Sequence, residues 1–139
     1  MAAGSSRRRA GRRAGGRLAG ALLVLGCLGT VAPYAGRALG LVVDTRAIVE
    51  VLDHVVPGAL VMAVGGYGTL RGRLPLPVAL LATLAGFWMA ATHLPLLAQV
   101  GDGRAELGAA LFHSLPGIGV LAVAIGTAVL AWSDDDGLR

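Results

Sequence analysis

The stretch LGAALFHSLPGIGVLAVAIGTAVLAWS, Leu107–Ser133, decides the fold. Its 27 residues carry no Asp, Glu, Lys or Arg. A helix of about 20 apolar residues crosses a bilayer core of about 30 Å, so this run is long enough to span. Three further charge-poor runs precede it, and the four predicted spans lie at about 18–36, 54–70, 76–97 and 107–132. The second is short, and its helix is expected to extend back toward Asp44 and Thr45, where Asp44-Thr45 would act as an N-cap.

Composition agrees. Of 139 residues 55% are hydrophobic and only 14% charged, against about 25% charged in a soluble domain. A water-soluble fold would have too few charges to cover its exterior. Intrinsic disorder needs low hydrophobicity, and 22 glycines without a G-X-Y period exclude collagen. The predicted class is all-α: a polytopic membrane protein folded as a four-transmembrane-helix bundle.

All 12 basic residues are arginines. Six of them (Arg7, Arg8, Arg9, Arg12, Arg13 and Arg17) form an N-terminal arm over residues 1–17, expected to be disordered and cytoplasmic. No aromatic residue interleaves with that arm before Tyr34, so no nucleic-acid partner is expected. Four spans put both termini on one side. With the N-terminus inside, nine arginines lie inside and Arg37, Arg46 and Arg104 outside, so the positive-inside rule favours N-in and C-in. The expected location is the cytoplasmic membrane of a bacterium, with residues 134–139, containing Asp134, Asp135 and Asp136, as an acidic cytoplasmic tail.

The first span admits another reading. A basic arm before an apolar run resembles a signal peptide, and Val24-Leu25-Gly26-Cys27 resembles an imperfect lipobox that would lipidate Cys27. The apolar run continues beyond Cys27 to Gly36 with no polar mature start, which favours an uncleaved helix. A single cysteine excludes an intramolecular disulfide. Ala38–Asp53 has apolar residues at Ile48, Val51 and Leu52 and is expected to be an interfacial helical piece. Small residues at Gly36/Gly40, Ala59/Ala63, Ala82/Gly86/Ala90 and Ala122/Gly126 have the four-residue spacing that lets membrane helices approach. Pro57, Pro95 and Pro116 are expected to kink or end helices.

An offset of 59 residues aligns His54-Val55-Val56-Pro57-Gly58 with His113-Ser114-Leu115-Pro116-Gly117. The shared H-x-x-P-G makes a tandem two-helix repeat a candidate architecture; proline and glycine also favour helix ends on their own account.

The chain has three histidines, His54, His93 and His113, and on this topology all lie toward the outer side. Ionisable groups inside spans usually face a bundle interior. Glu50, four residues before His54, shares its helix face; Asp53 is expected to point elsewhere. These are the candidate cofactor-binding residues, with His54, His113 and Glu50 as a metal set. Two imidazoles on different helices also suit axial haem ligation, and histidine relays protons near neutral pH or holds a quinone. The plain alternative is histidines bonded to backbone carbonyls freed by the prolines. No nucleophile–base arrangement or phosphate loop is visible, so no catalytic residue is assigned.

Gly66-Tyr67-Gly68-Thr69-Leu70-Arg71, followed by Leu80 to Met89-Ala90-Ala91-Thr92-His93-Leu94-Pro95, resembles the DoxX-type family of small bacterial four-helix membrane proteins. Met89 and His93 match a methionine and following histidine of that family's third helix, and Trp132-Ser133-Asp134 vaguely matches the end of its fourth. The likeness covers about residues 50–95, and the H-x-x-P-G pair and the long loop after the first span depart from it. It implies a membrane subunit linked to quinone or thiol redox chemistry. Three functions follow as expectations: an accessory or scaffold subunit of a membrane complex without catalysis of its own, a redox-linked subunit using the histidines, or an oligomeric transporter. The lipid bilayer and a complex partner or homo-oligomer are the expected partners.

The orientation is testable in a Cys27→Ala background. A cysteine in the Gly101–Gly103 turn should react with an impermeant maleimide added to intact cells, and one in the Arg71–Arg73 turn should not. The reverse pattern would put the histidines on the cytoplasmic side.

Overall fold

A computed structural model describes residues 2–41 and 47–136. Its elements are α1 (Ala2–Ala38), α2 (Ala47–Glu50), a π-helical turn (Val51–Val55), α3 (Val56–Arg71), α4 (Leu76–Gly101) and α5 (Leu107–Asp136), with no strand among the described residues. Four segments are long and apolar enough to cross a membrane: Arg13–Ala38, Ile48–Arg71, Leu76–Gly101 and Leu107–Ser133. The second starts at Ile48, six residues earlier than the charge-free run, because α2, the π turn and α3 follow one another without a break and carry Glu50 and Asp53 into the helix. The proposed cap at Asp44 and Thr45 lies outside the described residues.

Two terminal expectations change. The arginine-rich arm, expected to be disordered, has helical backbone from Ala2 onward, in keeping with the high helix propensity of alanine and arginine. Asp134–Asp136 extend α5 instead of following it; residues 137–139 lie outside the described residues.

The helices run up and down in sequence order and close into a ring in which α1 packs mainly on α3, and α4 mainly on α5. The interior is built from small side chains: Ala19, Ala79, Ala82, Ala85 and Ala124 pack with Leu22, Val61, Met89 and Val120. Large apolar groups face outward, with Leu84 66%, Phe87 59% and Trp132 60% exposed. A monomer in water would hide these. In lipid the tails solvate them, and helix association rests on close backbone approach.

That approach is made by glycines. A methyl group on Gly58 would sit 2.8 Å from the Thr30 nitrogen of α1; on Gly86, 2.7 Å from the Leu121 nitrogen of α5; on Gly117, 2.8 Å from the Ala90 nitrogen of α4. A methyl on Gly65 would run into the backbone of Leu23, and one on Gly26 into that of Met62. Of the four-residue spacings named above, only Ala82/Gly86/Ala90 is buried at all its positions. Ala63 and Ala122 face outward. Gly36/Gly40 terminates a helix: Gly40 takes φ 73° and the Leu41 N–H donates to Gly36 O at 2.9 Å, the six-to-one bond of a glycine C-cap. The α1–α3 seam instead uses Gly26, Gly58, Gly65 and Gly68, whose spacings are irregular and hidden among 22 glycines.

Gly65→Ala should therefore lower the thermal midpoint in detergent, by about 1–3 kcal/mol of overpacking. Gly20→Ala, where an added methyl meets nothing within 4 Å, should leave the midpoint unchanged or raise it. Equal effects from the two substitutions would show that α1 and α3 are not in backbone contact.

Candidate histidine site

His54, His93 and His113 come from three different spans and meet in one place. His54 lies six residues from Ile48, His93 eight from Gly101 and His113 six from Leu107, all at the end of the bundle that holds the α1–α2 and α4–α5 connections. At 1.5 Å per residue that is about 9–12 Å inside the helix ends. The ring centroids stand 4.1 Å apart for His54 and His93, 5.5 Å for His54 and His113, and 6.3 Å for His93 and His113. All three side chains are buried.

The three rings are not equivalent. The His93 Nδ1–H donates to Met89 O at 2.7 Å, and the His113 Nδ1–H donates to Ala109 O at 2.9 Å. A carbonyl oxygen only accepts, so both rings carry their proton on Nδ1 and present the Nε2 lone pair. The Thr92 hydroxyl, 3.0 Å from His93 Nδ1, does not alter this assignment, because the carbonyl at 2.7 Å already requires the nitrogen to donate. Ser114 Oγ donates to His93 O at 3.1 Å, tying α5 to α4 beside the rings.

His54 is 1% exposed, and neither Nδ1 nor Nε2 has a hydrogen-bond partner. Its local backbone explains why. Pro57 has no N–H for Asp53 O and its ring crowds that carbonyl. The preceding turn widens, and the Val56 N–H bonds Val51 O, five residues back. His113 sits in ordinary α-helix and reaches the carbonyl four residues before it. In the π turn His54 makes no such bond to the corresponding carbonyl, that of Glu50. Thus the carbonyls that two histidines use are not those freed by proline, and the third histidine uses none.

The π turn also corrects the placement of Asp53, which was expected to point away. Glu50, Asp53 and the three histidines line one cavity of about 20 Å3 together with Val49 and Leu96. Glu50, on the face expected of it, accepts a hydrogen bond from Arg37 at 2.8 Å in an ion pair that fastens the end of α1 to this site. In the sequence Arg37 reads only as a topological charge. Ser114 was likewise passed over, since adjacency to His113 says nothing about a bond to another helix. Proline four residues after Asp53 was the one available signal of the altered turn.

Size selects among ligands. A cavity of about 20 Å3 has room for one water-sized occupant, which needs about 10–15 Å3. Organic ligand pockets run to about 300–1,000 Å3, so neither a porphyrin nor a quinone ring fits between the histidines as they stand. A groove of about 310 Å3 between α1 and α5 is large enough, but Leu25, Leu28, Val31, Phe112, Leu115 and their neighbours line it with carbon alone. The charges around the histidines are two carboxylates and one guanidinium, which suits a cation and disfavours an anion. Among the described residues no three His, Cys, Asp or Glu side chains are arranged, as they stand, to hold a metal ion.

Comparison with known protein families, curated proteins and solved structures finds no match.

In detergent micelles, 15N spectra of histidine-labelled protein at mildly alkaline pH should show two neutral rings protonated at Nδ1, the minor tautomer of free histidine. Their loss in His93→Ala and His113→Ala would assign them. Three rings all protonated at Nε2 would contradict the carbonyl bonds.

Proposed function

We propose that this chain is a small accessory subunit of a bacterial cytoplasmic membrane complex, with no catalysis of its own, that holds a single small cation in its three-histidine site. The observation that carries this reading is His54, fully buried with two unpartnered ring nitrogens. A buried polar group without a partner costs about 1–3 kcal/mol. A leucine there would pack without it, so the imidazole is retained for what it binds.

Two features support the finer assignments. The excess of arginine on the N-terminal side supports N-in and C-in, which opens the histidine end to the outer face. The repeated H-x-x-P-G supports duplication of a helix pair: both histidines enter the cluster, and both glycines, Gly58 and Gly117, sit at close backbone contacts of their helix with a neighbour. The likeness to DoxX-type proteins, which includes His93 and Met89, supports a partner concerned with redox chemistry.

His54→Leu tests the central claim. If the histidine serves binding, the substitution should raise the midpoint in detergent, by about 3–6 °C for each 1 kcal/mol relieved. A fall of several degrees would show that His54 serves packing alone and would remove the basis for the site. The accessory assignment is tested by gentle extraction from native membranes: a partner should co-purify in fixed stoichiometry, and a chain that emerges alone would refute it.

A further inference from the structure

We infer that the small cation is one first-row transition-metal ion, bound by Nε2 of His93, Nε2 of His113 and a ring nitrogen of His54. This rests on the small-cation reading above and narrows it to a ligand class.

Four observations lead there. The first is protonation. Histidine ligands of metals characteristically give their other N–H to a carbonyl or carboxylate, which fixes the tautomer and aims the lone pair. Met89 O and Ala109 O do this for His93 and His113. The tautomers of two of the three ligands are therefore set before any ion arrives.

The second is spacing. With metal–nitrogen bonds of about 2.0–2.1 Å, imidazole centroids lie about 3.2 Å from the ion and about 5.2 Å from one another in a tetrahedral site. The observed separations of 4.1, 5.5 and 6.3 Å fall on both sides of that value. The adjustment required is to move the His54 ring away from His93 and to bring the His93 and His113 rings together by about 1 Å. His54 is the one ring of the three that gives up no hydrogen bond by turning.

The third is charge. Asp53 and Glu50 line the same cavity, with Arg37 paired to Glu50. The surroundings carry a net negative charge, which offsets part of the charge of a divalent ion, and a carboxylate is within the same walls to take a fourth position. The fourth is donor type. Neutral imidazoles suit zinc, copper, cobalt and nickel, whereas magnesium and calcium require oxygen donors in larger number.

The test uses full-length protein purified in detergent through a tag without histidine, stripped with chelator and then titrated with Co2+ and Zn2+. One equivalent per chain should be retained after dialysis. Bound Co2+ should show the intense visible absorption of four-coordinate geometry and lose it on addition of Zn2+. His93→Ala, His113→Ala and His54→Ala should each weaken retention at least about 10-fold, with helical circular dichroism unchanged. Cys27→Ala should retain the metal at wild-type affinity. Absence of retention above empty micelles would overturn the inference, as would retention equal in wild type and all three histidine variants. Such a failure differs from failure of the underlying reading: if His54→Leu stabilises the protein and no metal binds, the cation is a proton, whereas a destabilising His54→Leu removes the site altogether.

Discussion

Hydrocarbon supplies no hydrogen bonds, and the architecture follows from that constraint. Every polar group inside the spans must find its partner within the chain. The hydroxyls obey by bonding back along their own helices: Thr30 to Gly26 O, Thr69 to Gly65 O, Thr83 to Ala79 O and Thr127 to Val123 O. His93 and His113 follow the same rule with the carbonyls four residues before them. Arg37 satisfies it by pairing with Glu50. Among the described residues the buried side-chain nitrogens and oxygens with no partner are the two of His54. Against such uniform compliance a single exception carries weight, and it falls where three ionisable rings meet.

The same sequence motif produces both the rule and the exception. His54 and His113 are each followed by x-x-Pro-Gly, and each glycine lets its helix touch a neighbour's backbone. Pro116 lies within α5, nine residues after its start, and the helix runs through it with His113 still in register for Ala109 O. Pro57 stands at the junction of the π turn with α3. There the widened turn absorbs the proline, and the histidine loses its carbonyl. One motif in two backbone settings thus yields one ring with a fixed tautomer and one ring held by no hydrogen bond.

Much of this is legible in the sequence. Charge-free runs bounded by arginine and aspartate locate four spans, because exclusion of charge from hydrocarbon is a strong and local signal. The positions of His54, His93 and His113 near corresponding ends of their spans imply that they share one end of the bundle. What escaped was of another kind. The seam of Gly26, Gly58, Gly65 and Gly68 could not be picked out, since glycine is too common here for spacing to discriminate. Gly40 was mistaken for packing because a C-cap and a close-packing motif use the same residue. Asp53 was turned the wrong way because a 3.6-residue period was assumed across a proline-induced π turn. The Arg37–Glu50 pair joins residues 13 apart through a connection that periodicity does not describe.

The placement of the cluster also bears on what kind of membrane protein this is. The rings lie about 9–12 Å from one set of helix ends, with Glu50 and Asp53 between them and that face. In the other direction Met89, Val61, Val120 and Leu22 fill the interior, each fully buried. The buried hydroxyl beyond them, Thr127, is already bonded to Val123 O. An ion entering past the carboxylates would meet imidazole donors and then apolar side chains, with no further polar group to hand it on. Desolvating a charge along such a path is costly. The interior of one chain therefore terminates at the histidines. Conduction across the bilayer by one chain would need a polar route that the packed core of the described residues does not provide.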